Sequence, residues 1–217
     1  MEIFEQIVEA TVAGDQERCV ALAQEVLDKG IDPLQAIEQG YTSGMTIVGD
    51  KFSRMEYYLP ELIRCADAMK AAMDVLKPHL GKGQEGGVQG TVVIGTIQGD
   101  LHDLGKNIVK TMLQAACFNV NDLGCDVQVR AFIDKAEEQD ADVIAASAIL
   151  TTTMAYMPDL VSLLSDMNLR DRFKVMVGGA PVTPEYADEF GADGYGENAA
   201  EAVQTAKRLV QSKGGGA

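Results

Sequence analysis

The sequence predicts an α/β protein in two parts, a helical bundle followed by a doubly wound parallel sheet. Three observations lead there. Residues 1–78 hold only apolar patterns of helical period, residues 79–90 are crowded with glycine, and from residue 91 β-branched runs alternate with amphipathic ones. The expected organisation is a helical domain over 1–78, a linker over 79–90 and an α/β domain over 91–213.

The first helix carries Ile3, Phe4, Ile7 and Val8; Gly14 ends it and Asp15 caps the next. The second presents Val20, Ala23, Val26 and Leu27 on one face and stops at Gly30. Asp32 and Pro33 start the third, an N-cap followed by a residue preset for the first helical position. Its stripe of Leu34, Ile37, Tyr41, Met45, Val48 and Phe52 keeps helical spacing over about five turns. The fourth begins near Pro60 and carries Leu62, Ala66, Met69, Met73 and Leu76. Short connections make such helices antiparallel neighbours, hence a four-helix bundle. Five glycines among the thirteen residues 78–90 mark a flexible linker, with His79 as an exposed helix-end residue.

Strands are expected at Thr91–Ile97, Val120–Leu123, Val143–Ser147, Phe173–Val177 and near Asp193–Tyr195. Helices are expected at Leu104–Ala116, Val129–Glu138, about Thr153–Ser165, Pro184–Phe190 and Asn198–Gln211. Pro158 falls inside the third of these, so either that helix starts there or its first turns are irregular. Five such strands favour the flavodoxin-like (Rossmann-like) order 2-1-3-4-5. The closing Gly-Gly-Gly-Ala is expected to be a disordered tail.

Composition excludes several function classes. The net charge of −15, spread along the chain, disfavours nucleic acid and anionic membrane as partners. No apolar run approaches the roughly 18 residues needed to span a bilayer. The acidic, amphipathic N-terminus is unlike a signal peptide, so the expected location is cytoplasmic. Cys19, Cys65, Cys117 and Cys125 show no Cys-x-x-Cys spacing, which argues against a zinc site and for reduced, mostly buried thiols.

In the order 2-1-3-4-5 the topological switch lies between strands 1 and 3, where ligands bind beyond the carboxyl ends. Three loops meet there: Gly99–Gly105, Ser147–Thr153 and Gly178–Pro181. They bring an Asp100–His102 pair, a cluster of hydroxyls and two adjacent glycines. The crevice lacks a P-loop or a Gly-x-Gly-x-x-Gly, and Asp100 and Asp103 would repel an anion. It lacks a nucleophile elbow, and a receiver domain would need an aspartate where strand 3 ends in Ser147. One imidazole cannot hold a free metal ion, but it can take one axial position on a metal bound in a macrocycle. Asp100 would then accept the other ring N–H, orienting the imidazole and raising its basicity.

Asp100-Leu101-His102-Asp103-Leu104-Gly105, then Ser147-x-Ile149, then Gly178-Gly179, resembles the DxHxxG…SxL…GG signature of cobalamin-binding domains. The string from Gly99 to Val109 is similar to that of cobalamin-dependent methionine synthase. The likeness extends to the helical half, in Gly44-Met45-x-x-Val48-Gly49-Asp50-x-Phe52 and Tyr58-Leu59-Pro60. A protein of only these two domains resembles the corrinoid methyl carriers of the methanol, methylamine, betaine and methoxyaromatic methyltransferase systems.

The resemblance implies cobalamin or a related corrinoid as cofactor, methylcobalamin in its loaded form, bound base-off/His-on. His102 would be the lower axial cobalt ligand, with Asp100 hydrogen-bonded to it and Thr153 extending the relay. Gly105, Ser147, Thr151, Gly178 and Gly179 would line a slot for the displaced nucleotide tail, and Leu101, Asp103, Ile149 and Leu150 complete the binding loops. Phe52, Leu59, Leu62 and Met45 would cap the upper face of the corrin. Ile149 stands where relatives carry Leu, and Ser53-Arg54-Met55 where they often carry glycine. The implied role is a non-autonomous carrier subunit. A substrate-specific methyltransferase would methylate it, an acceptor methyltransferase using tetrahydrofolate or a thiol coenzyme would demethylate it, and a reductive activase would rescue it. The alternative functions are a mutase cobalamin module, disfavoured by the helical cap, a cobalamin-sensing or storage module, and a cofactor-free interaction protein.

Overall fold

The computed structural model describes residues 2–80 and 89–214. Most of the expected glycine-rich linker and the last three residues of the expected tail lie outside the described residues. Two units emerge from the pattern of contacts along the chain, one helical and one α/β.

In the helical unit, α1 (Ile3–Ala13) and α2 (Gln16–Asp28) are joined by a tight turn in which the Asp15 carboxylate accepts the Arg18 N–H at 3.0 Å. Asp32 accepts the Leu34 N–H at 3.0 Å and Pro33 opens α3 (Pro33–Gln35). The helix continues as a π-helical stretch (Ala36–Thr42) into α4 (Ser43–Ser53), so the predicted third helix is one rod with a widened middle. The glycines of that rod let α1 approach closely: a Cβ on Gly40 would lie 2.7 Å from Ile7, and one on Gly44 2.7 Å from Thr11. α5 (Leu59–Leu76) has Pro60 in its first turn and ends in a 3₁₀ turn (Lys77–His79). Ile7, Ile37, Tyr41, Leu62 and Leu76 are fully buried, and the Tyr41 hydroxyl donates to the Cys19 carbonyl at 2.7 Å.

The α/β unit is a parallel sheet of β1 (Gly90–Thr96), β2 (Phe118–Asp122), β3 (Val143–Ser147), β4 (Lys174–Gly178) and β5 (Gly194–Gly196). The strands lie in the predicted order 2-1-3-4-5. Between them run α6 (Leu104–Ala115), α7 (Val129–Glu138), α8 (Thr151–Met154), α9 (Tyr156–Asp166) and α10 (Pro184–Glu189), and α11 (Ala199–Gly214) closes the unit. The helix expected over Thr153–Ser165 is therefore two, broken at Ala155. Pro158 is tolerated because it sits in the first turn of α9, where its missing N–H has no intrahelical partner to lose.

Strand alternation sends Val93, Ile97, Ile144 and Val175 into a core with Phe132, Met157 and Leu160 from α7 and α9. The other sheet face carries Ile94, Ala145 and Met176 in one row. Two residues on lies a row of Thr96, Ser147, Gly178 and Gly196. Small side chains thus accumulate on that face toward the carboxyl ends of the strands.

Phe132 is fully buried against β1, its ring 2.9 Å from where a Cβ on Gly95 would stand. Phe132→Ala should destabilise the α/β unit by about 3–5 kcal/mol. Urea unfolding followed by circular dichroism measures this; a loss under about 1 kcal/mol would show that the ring is not a core element.

Candidate functional site

The chain leaves β1 through Ile97, whose N–H donates to the Ser147 carbonyl at 2.9 Å, and turns at Gly99, where φ is +81°. The next residue, Asp100, is fully buried, whereas Leu101 and His102 beside it are exposed. Asp100 Oδ1 accepts the His102 backbone N–H at 3.0 Å and lies 2.7 Å from His102 Nδ1. Asp100 Oδ2 accepts the N–H groups of Ile149 at 2.7 Å and Leu150 at 3.1 Å. The Thr153 hydroxyl lies 3.0 Å from the same oxygen and 2.9 Å from the Leu150 carbonyl, so its one proton can serve either.

Burial pushes the Asp100 carboxyl up, but the N–H groups of Ile149 and His102, the imidazole and the Leu150 N–H outweigh it and hold it well below the usual carboxylate range. An ionised carboxylate can only accept, so the proton of a neutral His102 ring sits on Nδ1. The Nε2 lone pair is left without a partner among the described residues, on a side chain that is 56% exposed.

Two further features adjoin this imidazole. Leu101 and Leu150, on the two loops that Asp100 joins, and Leu104, at the start of α6, are exposed apolar side chains. Beside them a cavity of about 340 Å³ opens between the sheet and helices α6 and α11, with Ile94, Ala145 and Met176 among its walls. Gly105, Ser147, Ile149, Gly178 and Gly179 line it as well. A Cβ on Gly105 would meet nothing within 4 Å, one on Gly178 would stand 2.8 Å from the Gly196 carbonyl oxygen, and one on Gly179 would overlap the Ala148 carbonyl oxygen. Gly179 also has φ +125°, which disfavours any side chain. Ser147 Oγ makes no hydrogen bond among the described residues.

The structure therefore joins Asp100, His102, Thr153, Ile149 and Leu150 in one network and places Gly105, Ser147, Gly178 and Gly179 on the cavity. Thr151, expected on the slot, is exposed at the start of α8 and is not among the cavity-lining residues, because α8 turns it outward. Asp103 precedes α6; its carbonyl accepts the Asn107 N–H at 2.8 Å and its carboxylate the Asn107 side-chain amide at 3.0 Å. Of the residues expected to cap a cofactor, Phe52 and Leu59 are half-buried, whereas Met45 and Leu62 are buried. Sequence reasoning missed the buried Lys106, which pairs with Asp122 at 2.7 Å, a carboxylate that Lys110 also reaches at 3.0 Å. It also missed Thr96, whose hydroxyl donates to the His102 carbonyl at 2.9 Å. Lysine after a motif glycine and a threonine at a strand end are ordinary in sequence; only their partners single them out.

A carboxylate depressed on folding stabilises the fold above the unfolded-state pKa of about 3.9, and that stability is lost as pH falls through the folded-state value. Wild-type stability should thus drop on acidification below about pH 4, and Asp100→Asn should be less stable at neutral pH with a shallower acid limb. Urea midpoints across the acid range test this; parallel limbs would exclude Asp100 as a major contributor.

The B12 binding domain family matches residues 90–204, and a second B12 binding domain family matches residues 3–77. The chain is 43% identical over 212 residues to dimethylamine corrinoid protein 2 of Methanosarcina acetivorans, covering 98% of each. It is similar to the crystal structure of a cobalamin-binding protein from Desulfitobacterium hafniense, with TM-score 0.75 and 34% identity over 96% of this chain and 98% of that one. It is also similar to a chain of the methanol:cobalamin methyltransferase complex from Methanosarcina barkeri, with TM-score 0.83 and 28% identity over 96% of this chain and 80% of that one. With both of its halves matched and the histidine loop in place, the chain belongs to the B12-binding family of corrinoid proteins.

Proposed function

We propose that this protein carries a methyl group on the cobalt of a bound corrinoid between two partner methyltransferases. The observation that carries the reading is Nε2 of His102, without a partner among the described residues, on a ring that a buried, ionised Asp100 holds by its other nitrogen. The exposed leucines flanking it suit a flat, largely apolar macrocycle, and the glycine-walled cavity suits a slender tail. When bound, a corrinoid supplies a cobalt centre able to accept and release a methyl group.

The chain's own residues have defined tasks. His102 Nε2 would hold the cobalt of the corrinoid, the arrangement termed base-off/His-on. Asp100 keeps the ring proton on Nδ1, so that Nε2 carries the free lone pair. The Thr153 hydroxyl, by turning between Asp100 and the Leu150 carbonyl, alters the charge left on Asp100 and so the donor strength of His102. Gly105, Gly178 and Gly179 leave room for the nucleotide tail, and Ser147 Oγ offers it a hydrogen bond. In the helical unit, Phe52, Leu59, Met45 and Leu62 are the residues that would contact the cofactor.

The name of the dimethylamine corrinoid relative supports a methylated amine as the original methyl source. The methanol:cobalamin methyltransferase complex supports direct docking to a substrate-specific methyltransferase. An acceptor methyltransferase using tetrahydrofolate or a thiol, and a reductive activase, complete the scheme.

The test is reconstitution with hydroxocobalamin, two-electron reduction to cobalt(I) by an added low-potential chemical reductant, and methylation by a methylamine methyltransferase supplied with its methylamine. The wild type should bind base-off with a protein nitrogen on cobalt and accept methyl groups; His102→Gly should bind corrinoid without that nitrogen and lose at least tenfold in methyl transfer, on the order of 1.4 kcal/mol. A protein nitrogen persisting in His102→Gly would sink the assignment. Gly105→Leu places a side chain in the cavity at a site where helix propensity favours it. Cobalamin binding should fall at least about tenfold while the tail-less cobinamide still binds; equal losses for both would refute the tail slot.

A further inference from the structure

We infer that Thr96 and Asp126 are positioning residues for His102, gripping the backbone of its loop and thereby setting how strongly the imidazole competes for an axial site. The inference rests on the proposed role of His102 as cobalt ligand.

The hydrogen bonds from Ile149, Leu150 and Thr153 hold only the side chain of Asp100. Where the imidazole emerges depends also on the backbone from Gly99 to His102, and residues outside the histidine loop secure it. Asp126 Oδ1 accepts the Gly99 N–H at 2.7 Å, and the Asp126 N–H donates to the Asp100 carbonyl at 2.9 Å. At the other end the fully buried Thr96 donates its hydroxyl to the His102 carbonyl at 2.9 Å.

Asp126 reaches the loop because its own segment is laced along the end of β1. The Leu123 N–H donates to the Ile94 carbonyl at 2.8 Å, the Thr96 N–H to the Gly124 carbonyl at 2.9 Å and the Val127 N–H to the Thr96 carbonyl at 3.0 Å. Asp126 itself adopts φ +52°, a left-handed conformation that Asp and Asn tolerate better than most residues. Its carboxylate is therefore held over Gly99 by a specific backbone shape. A ligand must be kept within about 0.5 Å of its productive position to compete well. Releasing either grip should let the imidazole wander and yield the axial site to the corrinoid's own base or to water.

The test uses uniformly ¹⁵N-labelled full-length protein loaded with unlabelled cobalamin and reduced to the cobalt(II) state. In electron paramagnetic resonance an axial ¹⁵N from the protein gives a doublet superhyperfine pattern, and the cofactor's own ¹⁴N a triplet. Thr96→Val removes the hydroxyl with little change of shape. Asp126→Gly keeps the left-handed backbone accessible but removes the carboxylate. Each should lower the ratio of protein-ligated to other species by about threefold to tenfold, the worth of one net hydrogen bond. Thr96→Ser and Asp126→Asn, which retain the hydrogen-bonding atoms, should restore the wild-type ratio. An unchanged ratio in Thr96→Val and Asp126→Gly overturns the inference, as does an equal loss in the conservative variants. If the wild type itself shows no doublet, the reading of His102 as ligand fails instead. Should Asp126→Gly not fold, the Thr96→Val and Thr96→Ser pair decides.

Discussion

A single buried charge governs the site. Removing a carboxylate from water costs several kcal/mol unless hydrogen bonds replace the lost hydration. Asp100 meets that cost with donors from two separate segments, its own loop and the Ile149–Thr153 loop. Those loops follow β1 and β3, the strands between which the sheet order reverses. The same charge thus staples the two walls of the crevice and fixes the tautomer of the titratable group it leaves facing outward, His102.

The cavity next to that charge is made by small residues in register. The row of Thr96, Ser147, Gly178 and Gly196 puts little bulk above Ile94, Ala145 and Met176. Gly105 adds none from α6. A face so poorly filled would invite the helix to collapse onto the sheet. The pairing of Lys106 and Lys110 with Asp122 ties α6 to β2 through polar contacts at the sheet edge. Burial pushes Asp122 up, but the hydrogen bonds from Lys106, the Gly124 N–H and Lys110 keep it below the usual carboxylate range. Ile108 and Val109 then remain half-buried on the cavity wall.

The legible part of this protein is the part encoded in short-range pattern. Helical period, the Asp15 and Asp32 caps and the alternation after residue 90 each act over a few residues, so they can be read along the chain. The π-helical stretch at Ala36–Thr42 could not be read that way, because it depends on how closely Ile7 and Thr11 approach Gly40 and Gly44. The split between α8 and α9 was half visible in Pro158, which marked an irregularity without locating it at Ala155.

The sequence by itself determined the two-part architecture, the strand order and the identity of the Asp100–His102 pair, since these follow from periodicity and from a local motif with its spacing. Only the tertiary structure decided which groups that pair leans on. Thr96, Asp126 and the N–H groups of Ile149 and Leu150 are brought to the loop by strand register and by a left-handed turn. It likewise decided that Thr151 faces out while Gly105 borders the cavity. Hydrogen bonds and cavities depend on distances between segments far apart in the chain, and those distances exist only once the sheet has formed.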